Sequence, residues 1–233
     1  MEAKEISKDN LPKTQGSEES GDDEEVQELV QTLPKERNPQ PRLFAAHTPY
    51  ASLPPSVKEC STSKIVYICR NPMDMFISHW HFTDQIQSEN VDPLSLDEAF
   101  EMFCQGIYAF GPFPDHVLGY CMAKQENPNK IIFLKYKDLK EDIVFHITTL
   151  ANFLGFPFSK EEEKQGVVEE IAKLCSLENL KGMEVNNSGK QPFGTPNTTF
   201  FRKGEVGDWS NYLTPSMVER FEKFVQEKFD KSG

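Results

Sequence analysis

The sequence predicts an α/β protein in which a parallel β-sheet is flanked by helices. Two apolar runs, KIVYICR (64–70) and KIIFLKY (130–136), are short, nearly continuous and rich in Ile, Val, Tyr and Phe. That is the composition of strands buried on both faces. The segments between and after them carry helical periodicity and helix caps, so strand and helix alternate along the chain. With 233 residues, the chain is long enough for one domain with a substantial core.

Residues 1–24 are polar, rich in Ser, Gly and Glu, and read as a disordered acidic arm. EVQELVQTL (25–33) is a short amphipathic stretch. Pro34, Pro39 and Pro41 follow and break any helix. We therefore place a disordered acidic arm and linker at 1–41 and the folded domain at 42–233. LFAAH (43–47) is expected to be a strand or extended segment, and 64–70 is the clearest strand. Asn71-Pro72 stops that strand, and a helix is expected from Met73 to about Gln87. Ser95 and Glu98 form an S-x-x-E capping box for another helix. A further helix should span 113–126 and the second strand 130–136. Asp138 and Glu141 should open a long helix carrying Ile143, Ile147, Leu150 and Leu154. Ser159 should cap a helix running through Leu174. Residues 182–200 read as a loop, and Thr214-Pro215 starts the last helix. Two clear strands and one possible strand are few for such a sheet.

The net charge is −12, and seven acids between Glu18 and Glu28 stand without a base. An acidic chain is a poor general binder of nucleic acid. A small anion is still possible, because it needs only a few local cations and backbone N–H groups. The five cysteines are widely spaced with no C-x-x-C pair, which suggests neither a zinc site nor a disulfide framework. No run approaches a membrane span and no apolar leader opens the chain. The expectation is a cytoplasmic protein without membrane, metal or nucleic-acid partners.

Three constellations could carry chemistry. Arg70 ends the first strand, at the carboxyl edge where α/β proteins bind ligands, and Ser78 lies two turns into the next helix. Together they could clamp one phosphate, although an arginine there could equally cap a helix or pair with an acid. In FFRKGEVGDW (200–209), Arg202 and Lys203 stand beside Gly204, whose missing side chain lets backbone N–H groups approach an anion. A basic surface turn would look the same. His47 ends an apolar segment and could act as a general base, or be an ordinary partly buried histidine. Tyr136 ends the second strand as a further edge residue or a core tyrosine. His79, His81, His116 and His146 read as structural or solvent-facing.

Taken together, five stretches resemble the cytosolic sulfotransferase family, and most closely its plant members acting on flavonols and steroids. They are PRLFAAHTPYASLP (41–54), KIVYICRNPMDMFISHWHF (64–82), GPFPDHVLGY (111–120), KIIFLKYKDLKED (130–142) and FFRKGEVGDW (200–209), in family order. The resemblance implies a three-layer, P-loop-NTPase-like fold. It implies that His47 is the catalytic base and that Arg70, Ser78, Arg202, Lys203 and Gly204 bind the 3′-phosphate of 3′-phosphoadenylyl sulfate. Tyr136 would contact the same nucleotide, and Cys175, Ser176 and Leu177 would lie near its adenine. Phe82, Phe103 and Phe110 would line a pocket for a small hydroxylated acceptor such as a flavonoid or steroid.

One family feature is missing. Members carry a P-K-[ST]-G-T-T-W loop that holds the 5′-phosphosulfate, whereas here LVQTLPKERN leads almost directly into PQPRLFAAH. The first strand and phosphate loop are absent between them. The expected result is a sulfotransferase of impaired activity; the alternative is an inactive remnant that binds the nucleotide or a partner chain. A general nucleotide kinase-like reading fits less well, since it also needs a phosphate loop. The dimerisation segment of some animal relatives corresponds here to SNYLTPSMVE (210–219). Ser210 and Pro215 replace its Lys and Val, so a monomer is expected.

Overall fold

The computed structural model describes residues 43–86, 92–191 and 194–230. The proposed arm and linker at 1–41 lie outside them. Strand β1 (Ile65–Cys69) and strand β2 (Ile131–Lys135) pair in parallel, in register from Ile65 opposite Ile131 to Cys69 opposite Lys135. The expected α/β architecture is present, as a sheet of two strands among the described residues. Residues 43–47 form no strand; they are exposed, with Leu43 97% accessible. The alternation within β1 has a physical reading. Val66 and Ile68 point to one face and are 37% and 55% exposed, whereas their neighbours on β2, Ile132 and Leu134, are buried. The sheet face is thus covered over β2 and partly open over β1.

Several helices begin at a side-chain cap. A short helix α1 (Pro55–Glu59) precedes β1. In α2 (Pro72–Ile86), the Asn71 side chain accepts from the N–H of Met73 at 2.9 Å and of Asp74 at 3.3 Å. Helix α3 (Leu96–Cys104) carries the expected capping box of Ser95 and Glu98. Helix α4 spans Phe113–Glu126, the range expected from the sequence. After β2 the single long helix expected from Asp138 is in fact two, α5 (Tyr136–Glu141) and α6 (Ile143–Leu154). Asp142 leaves helical geometry between them and caps α6 by accepting from Phe145 N–H at 3.0 Å. The helix expected from Ser159 to Leu174 also divides, into α7 (Lys160–Lys164) and α8 (Val167–Leu174). The break is Gly166, at φ 75°, a conformation costly for any residue with a Cβ. Helix α9 (Leu177–Gly182) leads into the expected loop 182–200, which itself contains a turn of helix, α10 (Glu184–Ser188). Helix α11 (Pro215–Asp230) starts as predicted, with Thr214 accepting from Met217 N–H at 3.3 Å.

The largest buried cluster lies between α2, α3 and α11. Phe103 stacks on Phe76 at 5.1 Å and on Phe221 at 5.3 Å, and it is 3% exposed. This corrects its expected place in an acceptor pocket: Phe103 is core. No helix among the described residues is long and apolar enough to cross a membrane.

Unequal burial makes the strands unequal in energy. Ile131→Ala, at a fully buried site on β2, should cost about 2–5 kcal/mol. Ile68→Thr on the open face should change stability by less than about 1 kcal/mol. Urea unfolding of both variants checks the contrast.

Candidate functional site

The parallel register sets the site. Because Cys69 and Lys135 are partners, the residues that follow them, Arg70 and Tyr136, stand side by side at the carboxyl edge. The Arg70 guanidinium lies 5.0 Å from the centre of the Tyr136 ring, a cation–π contact. Arg70 Nη2 donates to the carbonyl of Glu205 at 2.8 Å, and Tyr136 Oη donates to the carbonyl of Gly204, also at 2.8 Å. Thus three residues predicted separately, Arg70, Tyr136 and Gly204, meet in one place. Gly204 has φ 66°, and a Cβ there would come within 2.4 Å of Leu177 Cδ2. This close approach also brings Leu177 to the group, beside Ser176, whose side chain caps α9.

The loop 202–209 is held by two carboxylates that the sequence reading did not single out. Asp74, on the first turn of α2, is 1% exposed. It accepts from the N–H of Gly207 at 2.8 Å and of Trp209 at 3.1 Å. A carboxylate in the first turn is also favoured by the helix dipole. Gly207 has φ 87°, and this left-handed turn lets both N–H groups face one side chain. The second carboxylate, Asp208, is 3% exposed and accepts from Arg202 Nη2 at 2.5 Å, Lys203 Nζ at 2.6 Å and Asn211 Nδ2 at 3.1 Å. Burial pushes the Asp208 carboxyl up, but the bonds from Lys203, Arg202 and Asn211 outweigh it and hold the group at about 2.

Those contacts divide the predicted cations. The Arg202 side chain is 17% exposed and braces the loop from within, while that of Lys203 is 39% exposed. The Nε atoms of Arg70 and Arg202 are buried and make no hydrogen bond. A cleft of about 410 Å³ opens on the outer side of the loop, lined by Lys137, Lys140, Glu141, Lys203, Gly204, Glu205 and Val206. Ser78 lies partly buried on α2, and no described residue bonds its hydroxyl. Phe82, one turn further along, meets Phe200 at 5.3 Å, which ties α2 to the end of the 200–209 loop.

His47 lies apart from this group, with no hydrogen bond or ring contact to it among the described residues. Its exposed imidazole stacks on Phe110 at 4.7 Å. His79 on α2 is near enough to feel it: burial first, and then the His47 charge, pushes His79 below the ordinary range. Among the described residues, no cluster of three or more His, Cys, Asp or Glu could hold a metal.

A strand-edge arginine, a glycine turn with basic neighbours and an apolar-backed histidine define an α/β protein with a basic sheet edge. A sulfotransferase domain model matches residues 23–233. The chain belongs to the sulfotransferase family. It is 51% identical over 193 residues to cytosolic sulfotransferase 15 of Arabidopsis thaliana, covering 83% of this chain and 54% of that one. The chain spans little more than half the length of the curated relatives it matches. Among solved structures it is similar to mouse sulfotransferase SULT7A1 complexed with PAP. The TM-score is 0.67 at 26% identity, over 87% of this chain and 78% of that one. It is also similar to a putative steroid sulphotransferase of Arabidopsis thaliana. There the TM-score is 0.58 at 36% identity, over 86% of this chain and 56% of the other.

The two carboxylates predict different losses. Asp74→Ala leaves two buried N–H groups without an acceptor and should cost about 2–4 kcal/mol, read by urea unfolding. Asp208 lies below its ordinary value of 3.8, so its contribution is fully present above about pH 4. That contribution is lost as pH falls through about 2. Asp208→Asn should remove this part of the acid sensitivity and lower stability at pH 7 by about 2 kcal/mol, seen in unfolding curves between pH 2 and 7.

Proposed function

We propose that the chain binds the adenosine 3′,5′-bisphosphate portion of 3′-phosphoadenylyl sulfate at the sheet edge. Its reaction would be transfer of the sulfonate to a hydroxyl of a small acceptor, a flavonoid, steroid or similar compound. The observation that carries the reading is the convergence of Arg70, Tyr136 and Gly204 on one edge, with an Arg70 Nε that lacks a partner. Arg70, Ser78 and Lys203 are the direct phosphate contacts in this reading. Arg202 shapes the loop, and Gly204 allows close backbone approach. Tyr136 positions that loop from beneath. Similarity to a mouse relative complexed with PAP supports the same ligand class.

In the transfer step His47 takes the proton of the acceptor hydroxyl while its oxygen forms a bond to sulfur. The bond from sulfur to the phosphate oxygen breaks, leaving adenosine 3′,5′-bisphosphate. Phe110 and Phe82 offer the apolar surface for the acceptor. None of the described residues around Arg70 and Gly204 supplies the further cradle that a 5′-phosphosulfate needs. Removing even one preorganised donor to developing charge costs about 10²–10³ in rate. Turnover should therefore be far below that of a relative with its phosphate loop. We further propose a monomer in the cytoplasm, in line with relatives named as cytosolic.

Calorimetric titration tests the reading. Adenosine 3′,5′-bisphosphate should bind more tightly than adenosine 5′-monophosphate, and Arg70→Ala should weaken it by about 10–100-fold, the worth of one charge-assisted bond. Equal binding of both nucleotides, or none, refutes it.

A further inference from the structure

The stretch GPFPDHVLGY (111–120) takes no part in the nucleotide edge, yet it bears on His47. Two of its side chains, one turn apart on α4, hold consecutive carbonyls of the segment that carries the histidine. His116 Nε2 lies 3.0 Å from the main-chain oxygen of His47, and Tyr120 Oη donates to the carbonyl of Thr48 at 2.8 Å. A carbonyl oxygen only accepts, so His116 must carry a proton on Nε2. In the neutral ring this leaves Nδ1 bare, and Tyr67 Oη lies 3.1 Å from it as the donor. Burial above all keeps the Tyr67 phenol well above its ordinary range, so its proton stays on.

The three rings form one block. Tyr67 stacks on Tyr120 at 4.1 Å and 15°, and His116 tilts against both, at 5.7 and 5.5 Å. Tyr67 belongs to β1, so the block is anchored in the sheet. The His47 segment has no strand or helix of its own to fix its backbone. The two carbonyl bonds and the Phe110 stack take that role.

We propose that His116, oriented by Tyr67, is a positioning residue for His47. Its N–H fixes the main chain so that the imidazole stays stacked on Phe110. The consequence for catalysis rests on His47 being the base; the positioning itself does not.

The test uses the full chain with labelled histidines, the His47 signals being assigned by His47→Gln. In the wild type the Phe110 ring should displace the His47 ring-proton signals upfield. His116→Phe keeps a ring but removes the donor, and the displacement should collapse. His116→Gln places an amide N–H within reach of the same carbonyl and should retain it. Tyr67→Phe should leave His116 without its orienting donor and reduce the displacement in part. Melting temperatures report whether each variant folds; should His116→Phe fail to fold, His116→Gln and Tyr67→Phe decide. Unchanged His47 signals in His116→Phe overturn the proposal, and so does a His116→Gln that behaves like His116→Phe. Where the wild type sulfonates a flavonol, His116→Phe should lower kcat about 10–100-fold, with donor KM within about twofold, and His116→Gln should recover most of it. A wild type that sulfonates no acceptor is accounted for by the missing phosphate loop, and the NMR displacement alone then decides the positioning.

Discussion

The Asp74 carboxylate is the contact on which the site depends. It sits buried in the first turn of the helix that leaves β1, and it grips two backbone N–H groups more than 130 residues away, at Gly207 and Trp209. That grip, with the bonds from Arg70 and Tyr136, fixes the basic loop on the sheet edge. Asp74 sets where the loop lies, and Asp208 sets its internal shape. Arg70 and Tyr136 then reach the loop through its own carbonyls. A buried carboxylate would be costly alone, but here both oxygens are satisfied and lie near a helix N-terminus.

This arrangement divides labour among the cations. Two neighbouring positive charges on a short turn repel each other unless an anion lies between them. Asp208 is that anion, and its bonds to Arg202 and Lys203 fix both side chains before any ligand arrives. The loop is thus ordered in advance, which lowers the entropy a ligand must overcome. It also leaves the pair a net charge of only about one unit. In the proposed nucleotide binding, Arg70 consequently matters more than a count of basic residues suggests.

Much of the fold was legible because its signals are local. Continuous apolar runs marked both strands, and Ser95, Ser159 and Thr214 marked helix starts through chemistry confined to one turn. Two helix boundaries were misread where a single residue breaks a good periodic pattern, Gly166 in one case and Asp142 in the other. Edge position alone pointed to Arg70 and Tyr136. Asp74 was not legible, because its partners are backbone groups far along the chain. Asp208 bonds side chains in its own loop, and their meeting depends on a turn whose shape the residue pattern does not show. A faint signal existed: Asp74 is the one acid in the otherwise apolar turn PMDMF. His116 was read as structural or solvent-facing, and only the fold puts its ring against the carbonyl of His47.

The open face of β1 has a further consequence. Val66 and Ile68 present apolar side chains to water on a strand that pairs along one edge among the described residues. Such a strand is a template for other chains. The practical lifetime of the protein in solution will be governed by how crowded it is, and colloidal behaviour will set its limit before heat does. Dilution, or an additive that covers apolar surface, should preserve it longer than cooling.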